Sequence, residues 1–349
     1  MKNVRRSQDT AINDKKVLII YTGGTIGMVE TEDGYAPKEN EFLHTLKGIA
    51  ELSDPTMPKW DIIEFSPLLD STNVAVGEWN KIGRIIYEKY QNYDGFVVLH
   101  GTDTMAYSAS ALSFILKNLS KPVVFTGSQI PLCKIRSDAK DNIITSLIIA
   151  ASGEVNEVCL YFGGKLFRGN RSVKTSADRF TAFNSPSFPP LATAGITIDY
   201  NKVAEVPKTN GELQFTELKQ KNIGVIKVFP GINFGLFQKI ATKELDGLVI
   251  ETFGTGNIPD YDDSVLPLIE KARKNGTVVT VCSQCVSGTV SLGQYKTSAS
   301  LKQIGVISGG DMTTEAAIAK LYYLLTKGCS ADDIKKYMET NLCGELTEK

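Results

Sequence analysis

The feature that most constrains the fold is a series of short, almost purely apolar segments separated by stretches with helical periodicity. An unbroken apolar segment predicts a strand buried on both faces, which is typical of a parallel sheet covered by helices. Eight such segments occur, at 16–22, 62–65, 95–100, 122–127, 157–162, 223–229, 247–252 and 277–281. Apolar residues spaced by three and four predict helices near 79–90, 105–119 and 315–328. The pattern therefore predicts an α/β protein.

A polar segment divides this pattern into two parts. Residues 201–222 (NKVAEVPKTNGELQFTELKQKN) show no sustained periodicity, which is typical of a connection between domains. A chain of 349 residues also exceeds what one hydrophobic core usually serves. We expect a larger N-terminal α/β catalytic domain over 1–205, a linker over 206–222 and a smaller C-terminal α/β domain over 223–349.

The composition is that of an ordinary globular protein and excludes several partners. Apolar residues make up 42% of the chain and charged residues 22%, and the formal net charge is −1. So small a charge provides no electrostatic surface for nucleic acid or an anionic membrane. The first ten residues are polar and lead into no apolar segment, and no uncharged apolar stretch is long enough to span a bilayer. We expect a cytoplasmic protein without nucleic-acid or membrane partners.

Cysteines and histidines are too sparse to predict a metal or redox centre. The six cysteines are scattered, and only Cys282 and Cys285 form a Cys-x-x-Cys pair. No second pair of ligands lies nearby, so free thiols are expected. The two histidines, His44 and His100, offer little scope for a Ser-His-Asp or Cys-His site. We expect no metal and no cofactor, and we interpret His100 as a packing residue at a strand end.

Hydroxyl and carboxylate side chains follow four of the predicted strands. The carboxyl ends of parallel strands form the edge of an open sheet at which ligands bind. The residues at this edge are Thr22 and Thr25 after the first strand, Asp70, Ser71 and Thr72 after the second, Thr102, Asp103 and Thr104 after the third, and Ser128 and Gln129 after the fourth. Each segment alone is typical of a helix cap or a turn. Their combination predicts a polar ligand-binding site.

The glycine-rich loop YTGGTIG after the first strand poses a choice between phosphate binding and hydroxyl chemistry. It lacks the Lys-Ser or Lys-Thr pair of a phosphate-binding loop, and its glycines do not have dinucleotide-binding spacing. A hydroxyl nucleophile without a histidine needs another base, and a lysine of lowered pKa beside a carboxylate can serve. The segment FGGKLFRGNRSVKTSADRF offers Lys165 and Lys174, between which the residues alone do not decide.

Seven motifs together carry a resemblance to one family. They are YTGGTIGM, Gly34-Tyr35, PLLDS, DGFVVLHGTDTMAYSASALSF, KPVVFTGSQIPL followed by RSD, RGNRSVKTSAD and GGDMT. In this order the chain resembles the cytoplasmic type I L-asparaginases of the asparaginase/glutaminase family, and the pairing of TGGTI with HGTDT is highly specific. The resemblance implies a mainly parallel, flavodoxin-like N-terminal sheet, a homodimer or homotetramer, no cofactor, and hydrolysis of the side-chain amide of L-asparagine to L-aspartate and ammonia.

The resemblance also implies roles for the two threonine loops. Thr25 matches the nucleophile, whose hydroxyl would form a β-aspartyl ester that water then hydrolyses. Thr102, Asp103 and Lys174 match a second triad, which selects Lys174 over Lys165. That triad would activate the attacking group or water, and the division of work between Thr25 and Thr102 stays open.

Substrate recognition is implied by the same resemblance. Asp103 would bind the α-ammonium group of asparagine, and nearby hydroxyls and backbone amides would bind its α-carboxylate. The implied substrate-binding residues are Asp70, Ser71, Thr72, Thr102, Asp103 and Ser128. Tyr35 lies in the polar segment VETEDGYAPKEN, which suits a mobile lid, and it would close beside Thr25 as a catalytic residue.

Glu251 departs from the family pattern, and two other functions stay open. Some type I enzymes respond to a second asparagine through a cation at this position, so an acid here gives no reason to expect allostery. A glutaminase or an amidohydrolase of mixed specificity is the nearest alternative. A non-catalytic α/β module that binds a nucleotide at the glycine-rich loop is an alternative of a different class, which the missing phosphate motifs disfavour.

Overall fold

The computed structural model describes residues 12–32, 34–38, 41–202, 211–259 and 265–348. Its strands are β1 Lys16–Gly23, β2 Met28–Thr31, β3 Gly34–Pro37, β4 Lys59–Leu69, β5 Gly95–Leu99, β6 Leu116–Lys117, β7 Val123–Thr126, β8 Val158–Phe162, β9 Lys165–Arg168, β10 Val173–Lys174, β11 Phe183–Asn184, β12 Ala192–Ala194, β13 Ile198–Tyr200, β14 Gln214–Phe215, β15 Ile223–Lys227, β16 Gly247–Thr252, β17 Val278–Ser283 and β18 Ile307–Ser308. Its helices are α1 Phe42–Lys47, α2 Val76–Lys89, α3 Met105–Ile115, α4 Ala139–Ser152, α5 Val265–Lys274, α6 Lys296–Gln303, α7 Thr314–Thr326 and α8 Ala331–Met338.

The larger domain is built on an eight-stranded mixed sheet in the order β13-β12-β9-β8-β7-β5-β1-β4. The strands β4, β1, β5, β7 and β8 are parallel, and their order is that of a flavodoxin-like sheet. The strands β9, β12 and β13 extend this sheet in antiparallel fashion. The predicted α/β class and the mainly parallel sheet are confirmed, and the five strands predicted in this half form the parallel part.

Apolar side chains of the sheet alternate between its two faces, and helices cover both. On one face, Leu18 and Ile20 of β1 belong to a core with α2 and α3. On the other face, Val17 and Ile19 pack in a second core with α4. All four side chains are fully buried. Burial on both faces is the physical reason why β1 is an unbroken apolar segment in the sequence.

The smaller domain contains a four-stranded parallel sheet in the order β15-β16-β17-β18. Helix α7 joins it to the larger domain, because the ring of Tyr323 stacks on that of Phe114 of α3 with centroids 6.2 Å apart. Both rings belong to one hydrophobic core. The helix ends just before Gly328, whose φ of 66° is the left-handed conformation that glycine commonly adopts after a helix.

The connection between the domains is described from residue 211 onward, and residues 206–210 of the predicted linker lie outside the described ranges. Within the predicted linker, β14 pairs with β6 of the larger domain. The side-chain amide of Asn80 also donates to the carbonyl of Leu218 at 2.8 Å. The domain boundaries at 205 and 222 stay predictions. Over the described ranges, no helix combines the length and apolarity that crossing a membrane requires.

Candidate active site

The carboxyl ends of β1 and β5 lie side by side at the point where the strand order reverses. In open α/β sheets, ligands bind in the crevice at such a switch point. The loop after β1 carries Thr25, which is half-buried, and the loop after β5 carries Thr102, which is buried. The two threonines singled out in the sequence therefore follow adjacent strands.

Glycine allows the loops after β1, β4 and β5 to touch. Gly24 has a φ of 84°, and a Cβ atom on it would lie 2.5 Å from both N and Cα of Gly101. A Cβ atom on Gly101 would lie 2.5 Å from the hydroxyl oxygen of Ser71. Both distances are too short for a side chain, so only glycine permits this approach. The contact joins the loops that carry Thr25, Ser71 and Thr102.

Lys174 lies at the same edge and binds the loop after β5. Its Nζ donates hydrogen bonds to Thr102 Oγ1 at 2.8 Å and to Asp103 Oδ1 at 2.6 Å. Thr102 Oγ1 in turn donates to Gln129 Oε1 at 3.3 Å. An ammonium group in this position stabilises negative charge on the threonine oxygen if its proton leaves. Lys165, the other lysine considered, begins β9 with an exposed side chain.

The segment after β4 contributes one buried hydroxyl and two exposed residues. Asp70 Oδ1 accepts a hydrogen bond from the amide of Thr72 at 2.9 Å, which closes a local turn. Ser71 is buried, and its carbonyl accepts a hydrogen bond from Thr104 Oγ1 at 2.7 Å. This bond ties the segment to the loop after β5. Ser128, also buried, donates its hydroxyl to the carbonyl of Ile130 at 2.7 Å, within its own loop.

Tyr35 lies on the hairpin formed by β2 and β3, where the sequence suggested a lid. Its side chain is 47% exposed. The ammonium of Lys134 lies 5.2 Å from the centroid of the Tyr35 ring and pairs with Glu30 of the same hairpin at 2.7 Å. At the base of the hairpin, the amide of Leu132 donates to the carbonyl of Ile26 at 3.1 Å. The hairpin is therefore attached to the loop that follows β7.

His100 is fully buried at the end of β5. Its Nδ1 lies 2.7 Å from the carbonyl oxygen of Gly101, and its Nε2 lies 2.9 Å from Ser108 Oγ. Burial lowers the pKa of His100 to about 4, against the smaller opposing effect of the Gly101 carbonyl. The imidazole is therefore neutral near pH 7 and packs at the strand end, as the sequence indicated.

An anchor between the two domains lies close to Lys174, and the sequence analysis did not identify it. Arg171 is buried three residues before Lys174 and pairs with Asp311 of the smaller domain at 2.9 Å. Glu345 forms a fully buried ion pair with Lys320 at 2.5 Å in the same region of the smaller domain. Removing one partner of a buried pair costs about 3 to 5 kcal/mol, because the other charge is left uncompensated in the interior. Nothing in the sequence distinguishes these charges from surface charges.

A cavity of about 360 Å³ between the domains is lined by Lys174, Glu251 and Cys285, among others. Glu251 accepts a hydrogen bond from Thr314 Oγ1 at 2.6 Å, so its carboxylate is held at the cavity wall. All six cysteines are free. Among the residues that the structure describes, no group of three or more His, Cys, Asp or Glu side chains could hold a metal ion.

Comparison with known proteins gives matches over most of the chain. The family described as Asparaginase, N-terminal matches residues 16–205, and the Glutaminase/Asparaginase C-terminal domain matches residues 222–338. L-asparaginase 1 of Escherichia coli K12 is 44% identical over 333 residues, which cover 95% of this chain and 98% of that protein. The crystal structure of L-asparaginase I from Vibrio cholerae superposes with a TM-score of 0.88 at 42% identity, covering 96% of this chain and 100% of that one. The thermostable L-asparaginase from Thermococcus kodakarensis superposes with a TM-score of 0.87 at 34% identity, with the same coverage.

Proposed function

The chain belongs to the asparaginase family, and on that premise we propose that it hydrolyses the side-chain amide of L-asparagine to L-aspartate and ammonia. The observation that carries the proposal is the contact between the loops of Thr25 and Thr102, with Lys174 2.8 Å from the second hydroxyl oxygen. A hydroxyl nucleophile needs neighbouring groups that manage its proton, and the second loop supplies them.

In the first step, Thr25 Oγ1 attacks the amide carbon of asparagine, and its proton passes to a basic group at the site. The carbon–nitrogen bond then breaks, the nitrogen takes up a proton, and ammonia leaves. The substrate remains as a β-aspartyl ester on Thr25. Backbone amides of the glycine-rich loop can approach the developing oxyanion because no Cβ atom obstructs them.

In the second step, water attacks the ester carbonyl and releases aspartate from Thr25. Thr102, Lys174 and Asp103 are proposed to activate the attacking group or the water. Lys174 in its amine form takes the Thr102 proton, and Asp103, 2.6 Å away, stabilises the ammonium that results. An oxygen activated in this way can take a proton from the nucleophile or from water.

Charge on the substrate determines the proposed recognition groups. Asp103 is 59% exposed although it binds Lys174, so its carboxylate can also meet the α-ammonium of asparagine. Backbone amides and hydroxyls at Asp70, Ser71 and Thr72 would bind the α-carboxylate, and Ser128 would border the site. Tyr35 would reach Thr25 when the hairpin closes.

A homo-oligomer in the cytoplasm is the further part of the proposal, supported by the resemblance to cytoplasmic type I enzymes. Apolar side chains on the smaller domain favour association with a second copy. Leu236 is 77% exposed, and Phe229 and Val225 are each about half exposed near the edge strand β15. Light scattering at several protein concentrations tests this part, and a monomer at every concentration would contradict it.

Ammonia release from asparagine, from glutamine and from a blank at matched concentration tests the proposed function. We expect release from asparagine with an equal amount of aspartate. Equal kcat/KM for the two amides would favour the mixed-specificity alternative. No release from either amide, together with a thermal shift caused by nucleotides and not by aspartate, would favour the non-catalytic module.

A further inference from the structure

His100 directly precedes the Gly101-Thr102 turn and has no role in the proposed reaction. Its two ring nitrogens both meet protein groups, the Gly101 carbonyl at 2.7 Å and Ser108 Oγ of α3 at 2.9 Å. Trp79 Nε1 of α2 donates to the same serine hydroxyl at 3.0 Å. Three side chains thus form a line of hydrogen bonds from the helices to the strand end.

The tautomer of His100 follows from the Gly101 carbonyl and from the burial of the ring. An indole N–H can only donate, so Ser108 Oγ accepts a hydrogen bond from Trp79. A carbonyl can only accept, so His100 Nδ1 must carry the proton that reaches Gly101. In a neutral ring, a proton on Nδ1 leaves Nε2 bare, so Nε2 accepts the hydrogen bond from the Ser108 hydroxyl. Full burial of the ring also favours the neutral form.

The Gly101 carbonyl sets the orientation of the peptide that leads to Thr102. A peptide group is planar, so a carbonyl turned toward the buried imidazole directs the N–H of Thr102 the opposite way, out of the core. Rotation of this peptide would displace Thr102 from Lys174 Nζ, which lies 2.8 Å from its hydroxyl oxygen. It would also disturb Gly24, which packs on Gly101 without room for a Cβ atom, and with it the loop of Thr25.

From this geometry we infer that His100 is a positioning residue, whose Nδ1–H holds the Gly101 carbonyl and so sets the mutual placement of the Thr25 and Thr102 loops. The inference rests on the proposed amide hydrolysis. It assigns no proton transfer to His100, because both ring nitrogens are occupied by protein groups.

Two substitutions separate the roles of the two ring nitrogens. His100→Asn keeps a donor near the position of Nδ1, whereas His100→Gln places its amide near Nε2 and loses the donor to Gly101. We expect kcat of His100→Gln to fall about tenfold, because displaced catalytic groups stabilise the transition state less well. Its KM should stay within about twofold of the wild type. His100→Asn is expected to keep kcat within about threefold of the wild type.

Ser108→Ala is the matched control for stability. It leaves Nε2 without a partner in the core, so the melting temperature should fall. The hydrogen bond from Nδ1 to Gly101 remains, so kcat should stay within about threefold of the wild type, as in His100→Asn. Equal losses of kcat in His100→Asn and His100→Gln would overturn the inference. Losses of kcat that simply follow the melting temperature across all three variants would do the same. A wild type that releases no ammonia from either amide would instead contradict the proposed function.

Nitrogen-15 NMR of the imidazole provides a readout that does not depend on activity. His44 is the second histidine of the chain, so a His44→Gln variant assigns the spectrum. We expect the signals of His100 at pH 7 to show a protonated Nδ1 and a bare Nε2. A proton on Nε2, or on both nitrogens, would overturn the inference whatever the kinetics.

Discussion

Lys174 donates a hydrogen bond of 2.8 Å to the hydroxyl oxygen of Thr102, although 72 residues separate the two in the chain. The fold brings them together because β5 ends at the switch point and β10 crosses the same edge of the larger domain. The contact gives a geometric reason to prefer Lys174 over Lys165, a choice that the residues alone left open.

Replacing the two lysines by methionine separates catalysis from packing. Methionine keeps the apolar stem and deletes the charge. We expect Lys174→Met to lower kcat by about a hundredfold or more while KM changes little, because the lost ammonium supports proton transfer in the transition state. Lys165→Met, exposed at the start of β9, should behave as the wild type. Steady-state kinetics, with circular dichroism as a folding control, measure both variants. Loss of kcat in Lys165→Met together with normal kcat in Lys174→Met would show that Lys165, not Lys174, transfers the proton.

Gly101→Ala tests whether the contact between the loops is needed. The new methyl group would lie 2.5 Å from Ser71 Oγ and 2.6 Å from its Cβ, so the loops must separate. We expect kcat to fall by about a hundredfold, the cost of displacing a reacting group by about 1 Å. Gly77→Ala in α2 is the control, because its methyl group would meet open space and should stabilise the helix by up to about 1 kcal/mol. Normal turnover by Gly101→Ala would show that the contact is dispensable.

Protonation of His100 should make the fold less stable in mild acid. Its pKa is lowered from 6.5 to about 4 by burial, so the folded protein binds fewer protons than the unfolded chain between these values. The stability from a neutral His100 is fully present above pH 6.5 and is lost as the pH falls toward 4. The free energy of unfolding should drop by about 3 kcal/mol from this group over that range.

Urea unfolding of the wild type and of His100→Asn at pH 7 and pH 4 measures this difference. His100→Asn should lack the stability that the neutral His100 contributes, so its free energy of unfolding should depend less on pH than that of the wild type. His44→Gln is the control, because His44 is exposed and its replacement should leave the pH dependence of the wild type. Identical pH dependence in the wild type and His100→Asn would refute the assignment.

The parallel part of the fold could be predicted from the sequence because burial on both faces produces unbroken apolar segments. The antiparallel strands β9, β12 and β13 could not. They have only three or four residues each, and β13 is partly exposed, so no periodicity develops. For the hairpin of β2 and β3 the sequence predicts only a polar lid, because short, half-exposed strands have the composition of a loop.

The position of the site could be predicted because hydroxyl side chains collect at the ends of parallel strands. The contacts that fix the positions of these side chains could not be predicted, because they join residues that are distant in sequence. Arg171 and Asp311 are charged residues that would ordinarily lie at the surface, and only the packed domains bury them. The sequence predicts His100 as a packing residue, but its hydrogen-bond partners could not be predicted, because Ser108 and Trp79 belong to two helices distant in sequence.

We expect the enzyme to prefer asparagine over glutamine, because the proposed site holds the substrate by the groups on its α-carbon. If Asp103 and the segment around Ser71 hold the ammonium and carboxylate groups, the extra methylene of glutamine moves the amide carbon away from Thr25. We expect kcat/KM for asparagine to exceed that for glutamine by about tenfold or more. Competition between the two substrates in one assay, with both amino acid products quantified, measures the ratio. A ratio near one would mean that the site does not fix the α-carbon as proposed.

Ammonia release by Thr25→Ala and Thr102→Val measures whether two threonine hydroxyls carry out the hydrolysis. Each variant removes one hydroxyl with little expected effect on the fold, which circular dichroism and melting temperature verify. We predict that kcat with asparagine falls by about a thousandfold or more in each variant while the fold is retained. A folded Thr25→Ala or Thr102→Val enzyme with near-normal kcat would show that the hydroxyl it lacks does not take part in the hydrolysis.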